Sequence, residues 1–98
     1  RKLQYSGTMH ISVVIDRKYE LIADPQITTV GLFDDDVDDI PDFEDDLSTE
    51  IEDLVHSLKR SGKKDVEYLE EQVRIMAMRY VFDILRIKPK VNVHLMKV

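Results

Sequence analysis

The side chains that could do chemistry here are few, and their spacing decides what they can do. The three histidines are His10, His56 and His94. A catalytic zinc ion needs three protein ligands and a structural one needs four. His10 and His94 fall on the polar faces of two different strands, and His56 falls on the exposed side of a helix. They read as scattered surface histidines. No H-E-x-x-H pair, nucleophile elbow or glycine-rich phosphate loop is present; the three glycines, Gly7, Gly31 and Gly62, are too dispersed to cradle a phosphate. No catalytic, cofactor-binding or metal-ligating residue is therefore assigned.

Two charged runs remain. Asp34-Asp35-Asp36-Val37-Asp38-Asp39 superficially resembles a calcium loop. An EF-hand, however, needs Gly at its sixth position and Glu at its twelfth, where this chain has Asp39 and Asp45. The run reads as a solvated acidic loop over 34–46. Lys59-Arg60-Ser61-Gly62-Lys63-Lys64 is the basic counterpart, in a turn between two helices. Lys59, Arg60, Lys63 and Lys64 could make weak contacts to RNA phosphates. No aromatic residue interleaves with them to stack a base, so helix-end charge is the stronger reading.

The elements that hold these groups follow from periodicity. Met9, Ile11, Val13 and Ile15 alternate with Thr8, His10, Ser12, Val14 and Asp16, the signature of a half-buried strand. Asp16-Arg17-Lys18-Tyr19 is a break of hairpin length. Glu20–Ala23 and Ile27–Val30 form a second strand, interrupted at Asp24-Pro25 because proline cannot donate to a ladder; this marks an edge. Pro41 is expected near the first position of a helix carrying Phe43, Leu47, Ile51, Leu54, Val55 and Leu58 on one stripe. Acids crowd its start and Lys59-Arg60 its end, in agreement with the macrodipole, and Gly62 suits its C-terminal cap. Asp65 caps a second helix with Leu69, Val73, Met76, Ala77, Tyr80 and Ile84 as its stripe, widened by Val81, Phe82 and Leu85. After Pro89, the alternation of Val91, Val93 and Leu95 with Asn92, His94 and Met96 gives a last strand. The order is ββααβ, an α+β domain in which two helices pack on one face of a three-stranded sheet.

With 98 residues the chain is one domain, 1–98, with 1–7 as the end of a linker. It starts at Arg1, as expected for a fragment or a processed product. Apolar residues are 43% and charged residues 35%, a balance that buries a core. No apolar run reaches the length of a membrane span, so no membrane partner is expected. The absence of cysteine excludes disulfides and thiolate metal sites and fits a cytoplasmic location. The net charge of −6 is unevenly spread: Asp34 to Asp53 holds twelve acids and no base, leaving +6 on the other 78 residues. As a unit the chain is not a strong RNA binder, since phosphate contacts dominate such affinity. The sheet face opposite the helices carries Thr8, His10, Ser12, Val14, His94 and Met96, with fewer charges than a water-facing sheet normally shows. Val14, His94 and Met96 are the expected contacts of a covering partner.

The ordered set Arg1-Lys2-Leu3-Gln4-Tyr5-Ser6-Gly7-Thr8, Ile11-Ser12-Val13-Val14-Ile15-Asp16 and Leu21-Ile22-Ala23-Asp24-Pro25-Gln26-Ile27-Thr28-Thr29-Val30-Gly31-Leu32 resembles the C-terminal domain of bacterial ribonuclease J. So do the far-end residues Arg74, Arg79 and Lys88-Pro89-Lys90-Val91-Asn92-Val93. Tyr19 departs from the pattern where a hairpin glycine is expected, and the acidic loop is unusually dense. The resemblance implies a parent with a metallo-β-lactamase domain and an inserted β-CASP domain, a zinc-dependent hydrolase that degrades and processes RNA from the 5′ end and internally. Its zinc ligands would belong to the catalytic domain, outside this chain. The resemblance makes this chain an accessory domain whose partners are its own catalytic domain and an oligomer mate, with RNA engaged through the parent enzyme. The alternative is an independent nucleic-acid-binding or protein-interaction module. If the acidic run is a solvated loop, Asp35→Ser or Asp36→Ser relieves like-charge repulsion and changes stability by no more than about 0.5 kcal/mol; thermal melting of each variant checks this, and a marked loss would identify an ordered site.

Overall fold

The computed structural model describes residues 5–31, 42–62 and 65–98. The acidic run 34–39, Pro41, Lys63 and Lys64 lie outside them. The elements are β1 (Tyr5–Ile15), β2 (Gln26–Val30), α1 (Phe43–Arg60), α2 (Val66–Leu85) and β3 (Lys88–Lys97), so the expected ββααβ order and α+β class hold. β1 is central, in the order β2-β1-β3. It pairs antiparallel with β2, Thr8 opposite Val30 through Ser12 opposite Gln26. It pairs parallel with β3, Thr8 beside Lys90 through Ile15 beside Lys97. The parallel pairing follows from the crossover: α1 carries the chain away from the end of β2 and α2 returns it, so β3 starts at the same end of the sheet as β1.

Alternation puts Met9, Ile11, Val13 and Ile15 under the helices, each no more than 1% exposed. Val91 and Leu95 join them from β3, while Val93 is half-buried. The helices answer with two rows at four-residue spacing, Phe43, Leu47, Ile51 and Val55 on α1 and Leu69, Val73, Ala77 and Val81 on α2. The rows are one inward ridge on each helix. Phe43 and Tyr80 meet between the helices with ring centroids 5.5 Å apart. Met76, Tyr80 and Leu85 are partly buried, but Phe82 and Ile84 are 39% and 41% exposed, so α2 is not covered on both sides.

The ends of the helices use different chemistry. The Asp65 carboxylate accepts from the backbone N–H groups of Glu67 (3.0 Å) and Tyr68 (3.3 Å), the expected N-cap. α1 starts at Phe43, later than Pro41, after a left-handed Asp42 whose side chain makes no cap bond. Glu44, Asp45 and Asp46 therefore belong to its first turn and not to the loop expected over 34–46, and they face the positive end of the helix dipole. The second strand is shorter than expected. Of Glu20–Ala23 only Leu21 pairs, in an isolated bridge to Ile15, because Pro25 interrupts the run. The hairpin is instead clamped by the Asp16 carboxylate, which accepts from Lys18 N (2.8 Å) and Glu20 N (3.1 Å). The Glu20 N–H above all holds the Asp16 carboxyl below its ordinary range.

At its outer edge β3 meets α2: the Leu95 N–H donates to the Glu70 carboxylate at 2.9 Å. Strand N–H groups two residues apart point the same way, so Pro89 falls on this outer row, where its missing donor costs no ladder bond. β1 begins earlier than expected, at Tyr5, and has an irregularity between Tyr5 and Thr8. Gly7 sits there at φ 95°, and a Cβ on it would lie 2.6 Å from the Gly31 carbonyl and the Val30 oxygen. Gly62 also has positive φ (88°), but nothing lies within 4 Å of its Cβ position. Gly7→Ala should therefore destabilise by clash as well as strain, about 3 kcal/mol, and Gly62→Ala by strain alone, about 1 kcal/mol. Urea midpoints at unchanged slope measure the difference; equal losses would show that the close approach to Gly31 does not matter.

Candidate functional site

Period two leaves the other face of the sheet with the residues between the core positions. Register sorts them into rungs. Thr8 lies between Val30 and Lys90, His10 between Thr28 and Asn92, Ser12 between Gln26 and His94, and Val14 beside Met96. Ile22 adjoins the last rung, since its N–H donates to the Val14 carbonyl at 3.0 Å. Val14 is half-buried by these neighbours. Ile22, Val30 and Met96 are 54%, 61% and 44% exposed. Lys88 and Lys90 are the full charges on the β3 side of this face. The sequence places Thr8, His10, Ser12, Val14, His94 and Met96 together, and the structure does the same. It adds Ile22, Thr28, Val30 and Asn92. Asn92 is visible in the β3 alternation; Ile22 is not, because its position depends on the bridge at Leu21.

The histidines do not converge. His10 pairs with Asn92 and His94 with Ser12, so the two are diagonal, not opposed. His56 is on α1, beside a cleft shared with Tyr19, Glu20, Glu52 and Lys59. Among the described residues no three His, Cys, Asp or Glu side chains are grouped to hold a metal ion. Zinc therefore has no fitted site among them. Glu52 is the carboxyl in that cleft whose pKa is raised, first by burial and then by a hydrogen bond with Asp24. This is acid–acid crowding.

The expected basic cluster is divided. Lys59 is engaged, its Nζ 2.6 Å from Glu20 Oε2, which ties the end of α1 to the segment after the first hairpin. Arg60 is exposed. Tyr19 adopts φ 62°, the backbone conformation for which a glycine is expected at this place. It is 6% exposed and packs in the core, with Lys97 Nζ 5.1 Å from its ring centroid. Burial of a large ring, worth roughly 2 kcal/mol, offsets the strain of that conformation.

Over residues 1–98 the sequence matches the family described as the ribonuclease J C-terminal domain. Ribonuclease J of Sinorhizobium meliloti (strain Sm2011 / Rm2011 / 2011) is 34% identical over 100 residues, which cover 100% of this chain and 17% of that protein. The chain thus spans a small fraction of the curated relative it matches. The two glycines that mark the resemblance, Gly7 and Gly31, are the pair whose backbones meet across β1 and the end of β2. Matched over its whole length, the chain belongs to the ribonuclease J C-terminal domain family.

Proposed function

We propose that this domain is a non-catalytic accessory module of a ribonuclease J-like enzyme, and that it joins a second copy of itself through the open face of its sheet. The observation that carries this reading is the asymmetry of the sheet. One face is sealed by α1 and α2, and the other presents Val14, Ile22, Val30 and Met96 among His, Thr, Ser, Asn and Gln side chains, with Lys88 and Lys90 at the start of β3. The solvated side of a sheet packed on one face normally reads polar, and here Ile22, Val30 and Met96 stand exposed on it. A twofold mate pairs such a face with itself, since the same patch serves both copies. The contact would bury roughly 500–800 Å² per partner, at the small end of specific interfaces, so association is weak until other domains add area. The parent would be a cytoplasmic, zinc-dependent nuclease with metallo-β-lactamase and β-CASP domains, and its metal and RNA chemistry would take place there.

The chain by itself should hydrolyse no RNA, with or without zinc or manganese, because no metal-ligand set is assembled among its described residues. Metal-dependent turnover of a labelled RNA that is lost in His10→Ala or His94→Ala would overturn the non-catalytic reading. For assembly, Val14→Lys with Met96→Lys places like charges in the contact on a rung that is not core. Sedimentation should show concentration-dependent dimer for the parent chain and monomer for the double variant, at an unchanged melting temperature. Monomers in both cases at high concentration would remove the sheet face as the interface.

A further inference from the structure

Away from the sheet face, a second surface combines positive charge with an aromatic ring. A cleft of about 430 Å³ lies between the outer side of α2 and the start of β3, lined by Met78, Arg79, Phe82, Asp83, Lys88 and Pro89. Helical spacing generates half of it: residues 79, 82 and 83 are i, i+3 and i+4 and share one side of α2. The left-handed Arg86 that ends α2, at φ 60°, turns the chain so that Lys88 and Pro89 close the other wall. Phe82 is 39% exposed, and the Arg86 guanidinium lies over its ring at 5.4 Å from the centroid. Lys90 continues the charge from Lys88 onto the open face of the sheet, roughly 6–7 Å further along the strand.

The charge is not taken up in ion pairs among the described residues. Arg74, one turn before this group, is paired with Glu71. Arg79, Arg86, Lys88 and Lys90 form no ion pair among the described residues, and Asp83 is the single acid lining the cleft. The acids of α2 gather in its first half, Glu67, Glu70 and Glu71. In a chain of net charge −6 this leaves a local cationic rim around an apolar floor. Four cations around one exposed ring and a guanidinium plane are the two parts of a single-strand binding surface: charge tracks the phosphates, and a flat π-system takes a base without reading it.

We infer that the cleft between α2 and the start of β3 is a contact site for single-stranded RNA, with Arg79, Arg86, Lys88 and Lys90 meeting phosphates and the Phe82–Arg86 stack receiving a base. The site adjoins the assembly face, with which it shares Lys88 and Lys90 at the start of β3, and lies at the opposite end of that strand from the Val14–Met96 rung. The choice of RNA over another polyanion does rest on the reading of the parent as a ribonuclease. A protein segment would also favour the apolar floor, but only an acidic one would partner the cations as well.

The probe is a labelled twelve-nucleotide oligouridine, titrated with the chain at two salt concentrations, with amide NMR shifts as the map. Binding should be weak, with Kd on the order of 100 µM at low salt, and should fall steeply as salt rises. Shifts should gather at Arg79, Phe82, Asp83, Arg86, Lys88 and Lys90. Arg79→Glu with Lys88→Glu should abolish binding at an unchanged melting temperature. Phe82→Ala should weaken it roughly tenfold with the salt dependence retained, and Phe82→Trp should restore it. Lys59→Glu with Arg60→Glu is the control for the other basic cluster and should reduce binding far less. Shifts centred on Lys59 and Arg60, or binding indifferent to Phe82, would overturn the proposal. So would a cleft that is silent to the oligonucleotide but responds to the rest of the parent protein, an outcome that would make it a docking groove. The sedimentation test is read separately, on the Val14–Met96 rung at the other end of β3.

Discussion

Everything in this domain leans on the one-sidedness of β1. It is the strand with neighbours on both edges, and its odd-numbered row from Met9 to Ile15 is the floor onto which both helices close. Successive strand residues point to opposite faces, so a floor of Met, Ile and Val on one side fixes Thr8, His10, Ser12 and Val14 on the other. A register slip of one residue would expose the whole floor. The close approach of Gly7 and Gly31 pins the start of this strand against the end of β2 and helps prevent that slip. The open face is thus a by-product of how the core is made.

Much of this is legible from the residues alone. The alternation of β1 and β3, the two four-residue helical rows and the Asp65 cap are local patterns, and each appears in the structure. Strand order is not local. Nothing in the spacing of Val91, Val93 and Leu95 says which edge they meet; the return of the chain through α2 decides it. The length of the second strand is misread because Glu20–Ala23 has the composition of a strand, while the Asp16 clamp and Pro25 take its backbone out of the ladder. The acidic loop is carried too far, to residue 46, because Glu44, Asp45 and Asp46 read as loop by composition although they stand in the first turn of α1, where a helix N-terminus welcomes them.

The functional surfaces divide along the same line. The sheet face is visible in sequence because period two lists its members, apart from Ile22, Thr28 and Val30. The cleft at Phe82 is hidden, since its ring belongs to a helix stripe that reads as core and its lysine to a strand. Packing leaves Phe82 outside and brings Lys88 to it. The basic run at 59–64 draws the eye by contrast, yet its first cation is spent on Glu20. Sequence clusters of charge and spatial clusters of charge are different objects, and in this fold they fall on different surfaces.

The bond from the Leu95 N–H to Glu70 has a consequence for how the protein can grow. An open sheet is a template, and a third chain can always add to a dimer that leaves both rims intact. Here the β3 rim is interrupted twice, at Leu95 by a carboxylate already in place and at Pro89 by a residue with no donor. An incoming strand would find few consecutive groups to bond. The β2 rim is five residues long, and if two copies met there by a twofold axis each would use up the other's rim. Strand addition would then stop at two, so an error in folding that bares the ladder ends in a closed pair instead of a fibre.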